Sequence, residues 1–175
     1  MRRLLCVAML AVGVAVGWGA AAAAQEGYAA NGDPDLGRSV WLSRSSCAEC
    51  HGVFADGDQE VDQQPRGADL RTTILSPQDM FAVIKCGRPG TQMPYFFRNA
   101  WRAPRTCFGM TEEDVGDLIP DAGDGLLPDR LINALVAFIF RDLVGAGPVT
   151  FEHCRDLLGE AAGRCAAYPR AADLD

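Results

Sequence analysis

Cys47-Ala48-Glu49-Cys50-His51-Gly52 is the stretch of sequence around which the rest of the chain is organised. Two cysteines separated by two residues and followed directly by a histidine form the attachment signature of a c-type haem. A tight turn carries both sulfur atoms under one edge of the porphyrin, and the histidine that follows points back at the iron. The motif therefore predicts one covalent haem c, attached to Cys47 and Cys50, with His51 as an axial iron ligand.

Two other chemistries use the same pair of cysteines. A redox dithiol needs only the two thiols, and a zinc site needs a second Cys/His pair at matching spacing. The only other histidine of the sequence is His153, beside Cys154 and far from the motif. The spacing favours haem over both alternatives.

The first residues resemble a secretory signal. Arg2 and Arg3 precede an apolar run from Leu4 to Trp18, which is too short for a stable membrane span, and small residues follow. We expect a signal peptide over residues 1–24, with cleavage after Ala24 and a periplasmic location; an uncleaved N-terminal anchor is the alternative. The remaining chain is long enough for one compact domain.

Export also accounts for the other cysteines. Cys6 leaves with the signal, the haem takes two, and Cys86, Cys107, Cys154 and Cys165 remain. An even set in an oxidising compartment predicts two disulfides. Three pairings are open; the nearest-neighbour pairing, Cys86–Cys107 and Cys154–Cys165, closes the shortest loops and is the one we predict.

The charge of the chain is acidic overall but unevenly spread. The net charge is −7, which argues against nucleic acid and anionic membrane surfaces as partners. No acid occurs between Asp79 and Glu112, whereas five basic residues do: Lys85, Arg88, Arg98, Arg102 and Arg105. We expect this segment to form a locally positive surface.

Three helices have clear start signals. Asp33-Pro34 and Ser76-Pro77 each place a capping side chain before a proline, and Pro128-Asp129 begins the longest apolar pattern. Between the last two, residues 99–127 are mostly loop, with a small helix that begins at Thr111. Gly37 and Trp41 share one face of the first helix, which predicts a close helix crossing there.

A methionine in a loop of fixed shape is the candidate for the second iron ligand. Met93 lies between Gly90 and Pro94, after the second helix has ended. The loop setting, in a chain that already holds a His-ligated haem, indicates the His/Met pair of electron-transfer cytochromes. Met80 and Met110 are assigned to packing.

With these residues together, the chain resembles a class I c-type cytochrome over residues 33–145. The resemblance rests on Gly37 and Trp41, the motif at 47–51, the helix ending at Gly87, the segment 90–94 with Phe96, and the helix around Phe138. It implies an all-α cytochrome c fold, small helices wrapped around one haem, with iron held by His51 and Met93. Outside the region of resemblance, the sequence predicts a leader over 25–32 and a disulfide-pinned C-terminal extension over 146–175. Arg88 is expected to pair with a haem propionate, and Trp101 to contact the cofactor.

The sequence departs from the family pattern after the haem motif. Where the family commonly has a proline, whose neighbourhood offers a backbone carbonyl to the ligating histidine, this chain has Ala68. A ligating histidine needs an acceptor on its other nitrogen, and which carbonyl supplies it is left open here. The insertion 99–127 and the extension are also extra to the minimal fold.

The family likeness implies a soluble periplasmic electron carrier and no enzymatic activity. Its partners would be a redox donor and a redox acceptor, with a periplasmic quinoprotein alcohol dehydrogenase and a terminal oxidase as candidates. Two alternatives remain: a fixed haem-bearing subunit of a larger dehydrogenase or oxidase complex, and a haem enzyme with an open sixth position.

Overall fold

A computed structural model describes residues 28–43, 47–59, 62, 64–102, 105–159 and 162–174. The helices are α1 (Pro34–Ser43), α2 (Cys47–His51), α3 (Pro77–Cys86), α4 (Glu112–Val115), α5 (Asp129–Phe138) and α6 (Phe151–Leu158). A π-helical turn, Ile139–Leu143, continues α5, and short 3-10 turns cover Gly116–Leu118, Gly163–Ala167 and Ala171–Asp173. No strand occurs in these ranges, so the predicted all-α class is confirmed. The predicted signal peptide and residues 25–27 lie outside the described residues.

The first and last long helices pack at a glycine. A Cβ built on Gly37 would lie 2.0 Å from the Ala134 carbonyl oxygen, so only glycine permits this backbone approach. The Trp41 and Phe138 rings meet beside it, with centroids 6.2 Å apart. Trp41 Nε1 donates to the Val53 carbonyl at 2.9 Å, which ties α1 to the chain that follows the Cys-rich turn. The predicted close crossing is confirmed.

Helix α3 begins and ends where the sequence predicts. The Ser76 hydroxyl accepts from the Asp79 amide, and Pro77 takes the first helical position. Gly87 ends the helix with φ +67°, a backbone conformation that favours glycine. Its apolar residues, among them Phe81 and Ile84, are buried against α5. This helix and α5 form the floor on which the candidate site is built.

Both predicted disulfides are present. Cys86 bonds Cys107, and Cys154 bonds Cys165. The Cys86–Cys107 bond lies in a small cluster of buried residues apart from the main core, which we call the second cluster. The inserted segment packs on it with the capped helix α4. The Thr111 hydroxyl accepts from the Asp114 amide, and the Asp114 carboxylate accepts from the Thr111 amide. The nearest-neighbour pairing is therefore confirmed.

The C-terminal extension docks on the domain through the buried Arg71. The Arg71 guanidinium donates to the Phe54 carbonyl at 3.0 Å and, through Nε, to the Gly147 carbonyl at 2.7 Å. Its Nη2 lies 3.2 Å from His153 Nδ1. Because a guanidinium only donates, Nδ1 accepts and the imidazole is neutral, with its proton on Nε2. His153 is thus the contact between α6 and this arginine.

This contact predicts a dependence of stability on pH. Burial lowers the pKa of His153, and the charge of Arg71 lowers it further, while Asp156, Asp142 and Asp56 act in the opposite direction. The His153 side chain therefore takes up a proton near pH 6.5 in the unfolded chain but only at a lower pH in the folded chain. The contribution of this contact to the free energy of unfolding is complete above pH 6.5 and is lost as the pH falls. The free energy of unfolding, from urea melts at pH 7 and pH 5, should fall less in His153→Gln than in the parent. An equal fall in both proteins would contradict the assignment.

Candidate haem site

The cysteine motif forms a single helical turn. In α2, Cys47 and Cys50 are three residues apart and His51 follows at the fourth position, so all three share one face. The Gly52 amide donates to the Ala48 carbonyl at 2.9 Å, and the chain then leaves with Gly52 at φ +76°. Among the described cysteines, Cys47 and Cys50 are the two outside a disulfide. The turn therefore presents two thiols and an imidazole together.

The orientation of His51 is set by a backbone carbonyl. Its Nδ1 lies 2.8 Å from the Ala68 carbonyl oxygen. Since a carbonyl only accepts, Nδ1 carries a proton, and in the neutral ring the lone pair is on Nε2, which is the tautomer that a metal requires. Burial lowers the pKa of His51, and the hydrogen bond to Ala68 opposes that effect. The acceptor left open by the sequence is thus Ala68, the position at which this chain departs from the family pattern.

A glycine makes room for the imidazole. A Cβ on Gly67 would lie 2.6 Å from His51 Nδ1 and 2.9 Å from the Cys50 carbonyl oxygen. The Gly67 amide donates to that same Cys50 oxygen at 2.7 Å. The segment 67–68 therefore approaches the turn too closely for any side chain at its first position.

Substituting this glycine should damage the site. Gly67→Ala is expected to lower the free energy of unfolding by about 1–3 kcal/mol, the usual cost of overpacking. If the protein carries the predicted haem, its absorption should also shift, because the imidazole must tilt. Urea titration and visible spectra measure the two effects. Gly163→Ala is a matched control, because nothing lies within 4 Å of a Cβ built there. A Gly67→Ala protein that behaves like the control would refute this role.

The three side chains open onto a cavity of about 1010 Å³, at the upper end of the range for small-molecule and cofactor sites. Helices α1, α3 and α5 supply its apolar wall. The wall includes Trp41, Met80, Val83, Ile84, Leu135 and Ile139. Such a wall suits a large apolar ring and excludes water from it.

Met93 lines the same cavity, in a loop of residues 87–95 that we call the Met93 loop. The loop is closed internally. The Arg88 amide donates to the Met93 carbonyl at 3.1 Å. The Thr91 hydroxyl donates to the Arg88 carbonyl at 2.8 Å and accepts from the Met93 amide at 3.2 Å. These bonds fix the backbone of the methionine.

Five of the six predicted site residues line this one cavity: Cys47, Cys50, His51, Arg88 and Met93. Trp101 is outside the described lining. Its Nε1 donates to the Cys86 carbonyl at 3.0 Å, and its ring packs in the second cluster around the Cys86–Cys107 disulfide. Met110 packs on that cluster as well, whereas Met80 lines the cavity from the middle of α3.

The predicted positive surface is only partly present. Lys85 is buried: its Nζ lies 3.4 Å from Asp129 Oδ1 and 4.5 Å from the centroid of the Phe97 ring. The four arginines of the segment, Arg88, Arg98, Arg102 and Arg105, are exposed. Acids also reach the cavity lining, at Glu49, Asp69 and Asp124. Lys85 therefore belongs to the core and not to that surface.

Comparisons of the chain with protein-family models, with curated proteins and with solved structures give no match. Within the described ranges, no group of three or more His, Cys, Asp or Glu side chains is placed to hold a metal ion. No helix in the same ranges is long and apolar enough to cross a membrane. The function is therefore inferred from the chemistry of the site.

That chemistry fits a covalent haem. Two thiols outside disulfides share a face with a histidine whose Nδ1 donates to a backbone carbonyl, and an apolar cavity is lined by all three and by a methionine. Attachment of haem c needs two sulfur nucleophiles and a neutral imidazole, and a methionine on the sixth position is typical of electron-transfer cytochromes.

Proposed function

We propose that the chain is a periplasmic class I c-type cytochrome that carries single electrons between redox proteins and is not itself an enzyme. The observation that carries the proposal is the hydrogen bond of 2.8 Å between His51 Nδ1 and the Ala68 carbonyl, in the cavity shared by both motif thiols and Met93. A histidine that ligates a metal usually has its other ring nitrogen bonded in this way, and the bond leaves Nε2 of His51 as the nitrogen for the iron.

Each residue has a defined role in this proposal. Cys47 and Cys50 would hold the haem through thioether bonds, and His51 Nε2 and the Met93 sulfur would be the two protein ligands of its iron. Arg88, exposed at the cavity lining, supplies a guanidinium that pairs well with a propionate carboxylate. When bound, the haem supplies reversible one-electron chemistry at the iron.

The protein around the site sets the conditions for transfer. The apolar wall excludes water and an axial thioether raises the reduction potential, so both favour the reduced, less charged iron. At the cavity mouth, Ile74 is 99% exposed, and Thr91 and Gln92 are exposed beside the ligand. A donor and an acceptor protein would approach there; a quinoprotein dehydrogenase and a terminal oxidase are the candidates.

Carbon monoxide tests whether the protein is a carrier or a haem enzyme with an open position. The full chain would be produced in a bacterium that exports it and attaches haem, then reduced and exposed to carbon monoxide at neutral pH. With Met93 on the iron, the absorption spectrum should stay unchanged, and a potentiometric titration should fit one reversible electron. A spectrum that shifts at once would contradict the carrier function.

A further inference from the structure

The inserted segment packs against the Met93 loop, and its residues Ala122, Gly123 and Asp124 line the same cavity. Three backbone hydrogen bonds join residues 116–124, which we call the strap, to the loop. The Gly90 amide donates to the Leu118 carbonyl at 2.7 Å, the Tyr95 amide to the Asp121 carbonyl at 3.0 Å, and the Gly123 amide to the Tyr95 carbonyl at 2.8 Å. The strap is thus bonded to both sides of Met93.

Close packing reinforces these bonds. A Cβ on Gly87 would lie 2.6 Å from Pro120 Cγ and 2.7 Å from the Met93 carbonyl oxygen. A Cβ on Gly123 would lie 2.5 Å from the Phe96 ring. At the start of the loop and just after its end, the chain is therefore packed too closely for a side chain at either glycine.

The strap is itself held by the second cluster. Val115 and Ile119 pack on the cluster of Cys86, Ala100, Trp101 and Cys107. The cluster also receives the end of α3, from which the Met93 loop departs. The Met93 loop and the strap are therefore both anchored on this one cluster.

We propose that the strap is a positioning element that keeps the Met93 sulfur on the iron and so closes the sixth position to external ligands. The inference rests on the proposed function. A short loop with few side-chain contacts opens at low free-energy cost, and every contact present only in the closed state lowers the open population. The strap supplies three hydrogen bonds and two tight contacts that would be broken when the loop opens. Within the loop, the side-chain hydrogen bonds described above come from Thr91.

The test uses the oxidised haem-loaded protein with imidazole as the external ligand. Gly123→Ala adds one methyl group against Phe96, and neither Gly123 nor the control position Gly163 has a positive φ, so backbone strain is equal. Imidazole should replace Met93 faster in Gly123→Ala by at least about tenfold, the factor that corresponds to about 1.4 kcal/mol. Gly163→Ala should match the parent.

A second variant covers the case in which Gly123→Ala fails to fold. Ile119→Ala trims the strap's contact with the second cluster and should show the same acceleration. Hydrogen exchange of the peptide spanning 88–97 provides a readout that does not depend on the iron, and it should rise in both variants. If imidazole replaces Met93 at the parent's rate in both variants, and hydrogen exchange of the peptide 88–97 also matches the parent's, the proposed role of the strap is wrong.

Failure of the proposed function is distinguishable from this result. If the parent has no methionine-to-iron absorption band while exchange in 88–97 still rises in the variants, the strap positions the loop but the ligand assignment of Met93 is wrong.

Discussion

On the proposed function, the Met93→Ala variant should keep a covalent haem and lose the methionine-to-iron absorption band expected of the oxidised protein. Attachment depends on Cys47 and Cys50, which the substitution leaves in place. The midpoint potential should fall by on the order of 0.1–0.3 V, within the roughly 0.8 V over which axial ligands set haem potentials, because a thioether stabilises the reduced iron. Visible spectra and a potentiometric titration measure both changes.

Met80→Leu is the matched control for this experiment. Met80 also lines the cavity, but from the middle of a helix and almost fully buried. Leucine conserves its volume, so the band and the potential should stay close to the parent's. If Met80→Leu loses the band and Met93→Ala keeps it, the two methionines have been assigned the wrong way round.

Removing the Cys86–Cys107 disulfide should release the sixth ligand before the protein unfolds. The bond spans 21 residues that include the whole Met93 loop, and a closed loop of this length is worth about 3 kcal/mol in the chain-entropy model. In the Cys86→Ser/Cys107→Ser variant, the methionine-to-iron band should therefore disappear on heating well below the loss of helical circular dichroism. In the parent the two transitions should lie closer together.

The second disulfide allows a like-for-like comparison. Cys154–Cys165 spans 11 residues in the extension, and its removal should also cost about 3 kcal/mol of global stability in the same model. The Cys154→Ser/Cys165→Ser variant should lower the unfolding temperature without separating the band from the fold. If the absorption band and the helical signal are lost together in both double variants, the first disulfide only stabilises the fold and has no specific effect on the sixth ligand.

The parts of the fold that could be predicted are those encoded locally. Ser76 and Thr111 cap helices through their own side chains, and a proline or an acid follows each cap. Gly37 indicates the α1–α5 crossing, because no other residue allows the two helix backbones to come so close. The disulfide pairing followed from loop length alone. The caps act within a few residues, whereas the crossing and the disulfides join segments further apart but are marked by a single residue type, glycine or cysteine.

The parts that could not be predicted depend on contacts between distant segments. The Ala68 carbonyl carries no side-chain signal, so its role toward His51 emerges only when the chain after the turn folds back. The sequence groups Lys85 with the surface arginines. In the structure it is buried, because it contacts the Phe97 ring and Asp129, which lies 44 positions further along the chain. The strap's bonds to the Met93 loop are backbone bonds, which sequence patterns do not mark.

The central claim, that the turn at Cys47–His51 binds haem covalently, is tested most directly by the mass of the peptide that contains it. The exported full-length protein would be purified, denatured, digested and compared with the Cys47→Ser/Cys50→Ser variant. We predict that the parent peptide carries the mass of one haem bound through both cysteines, and that the variant peptide carries none. A parent peptide with two unmodified thiols, or with a disulfide between Cys47 and Cys50, would contradict the claim.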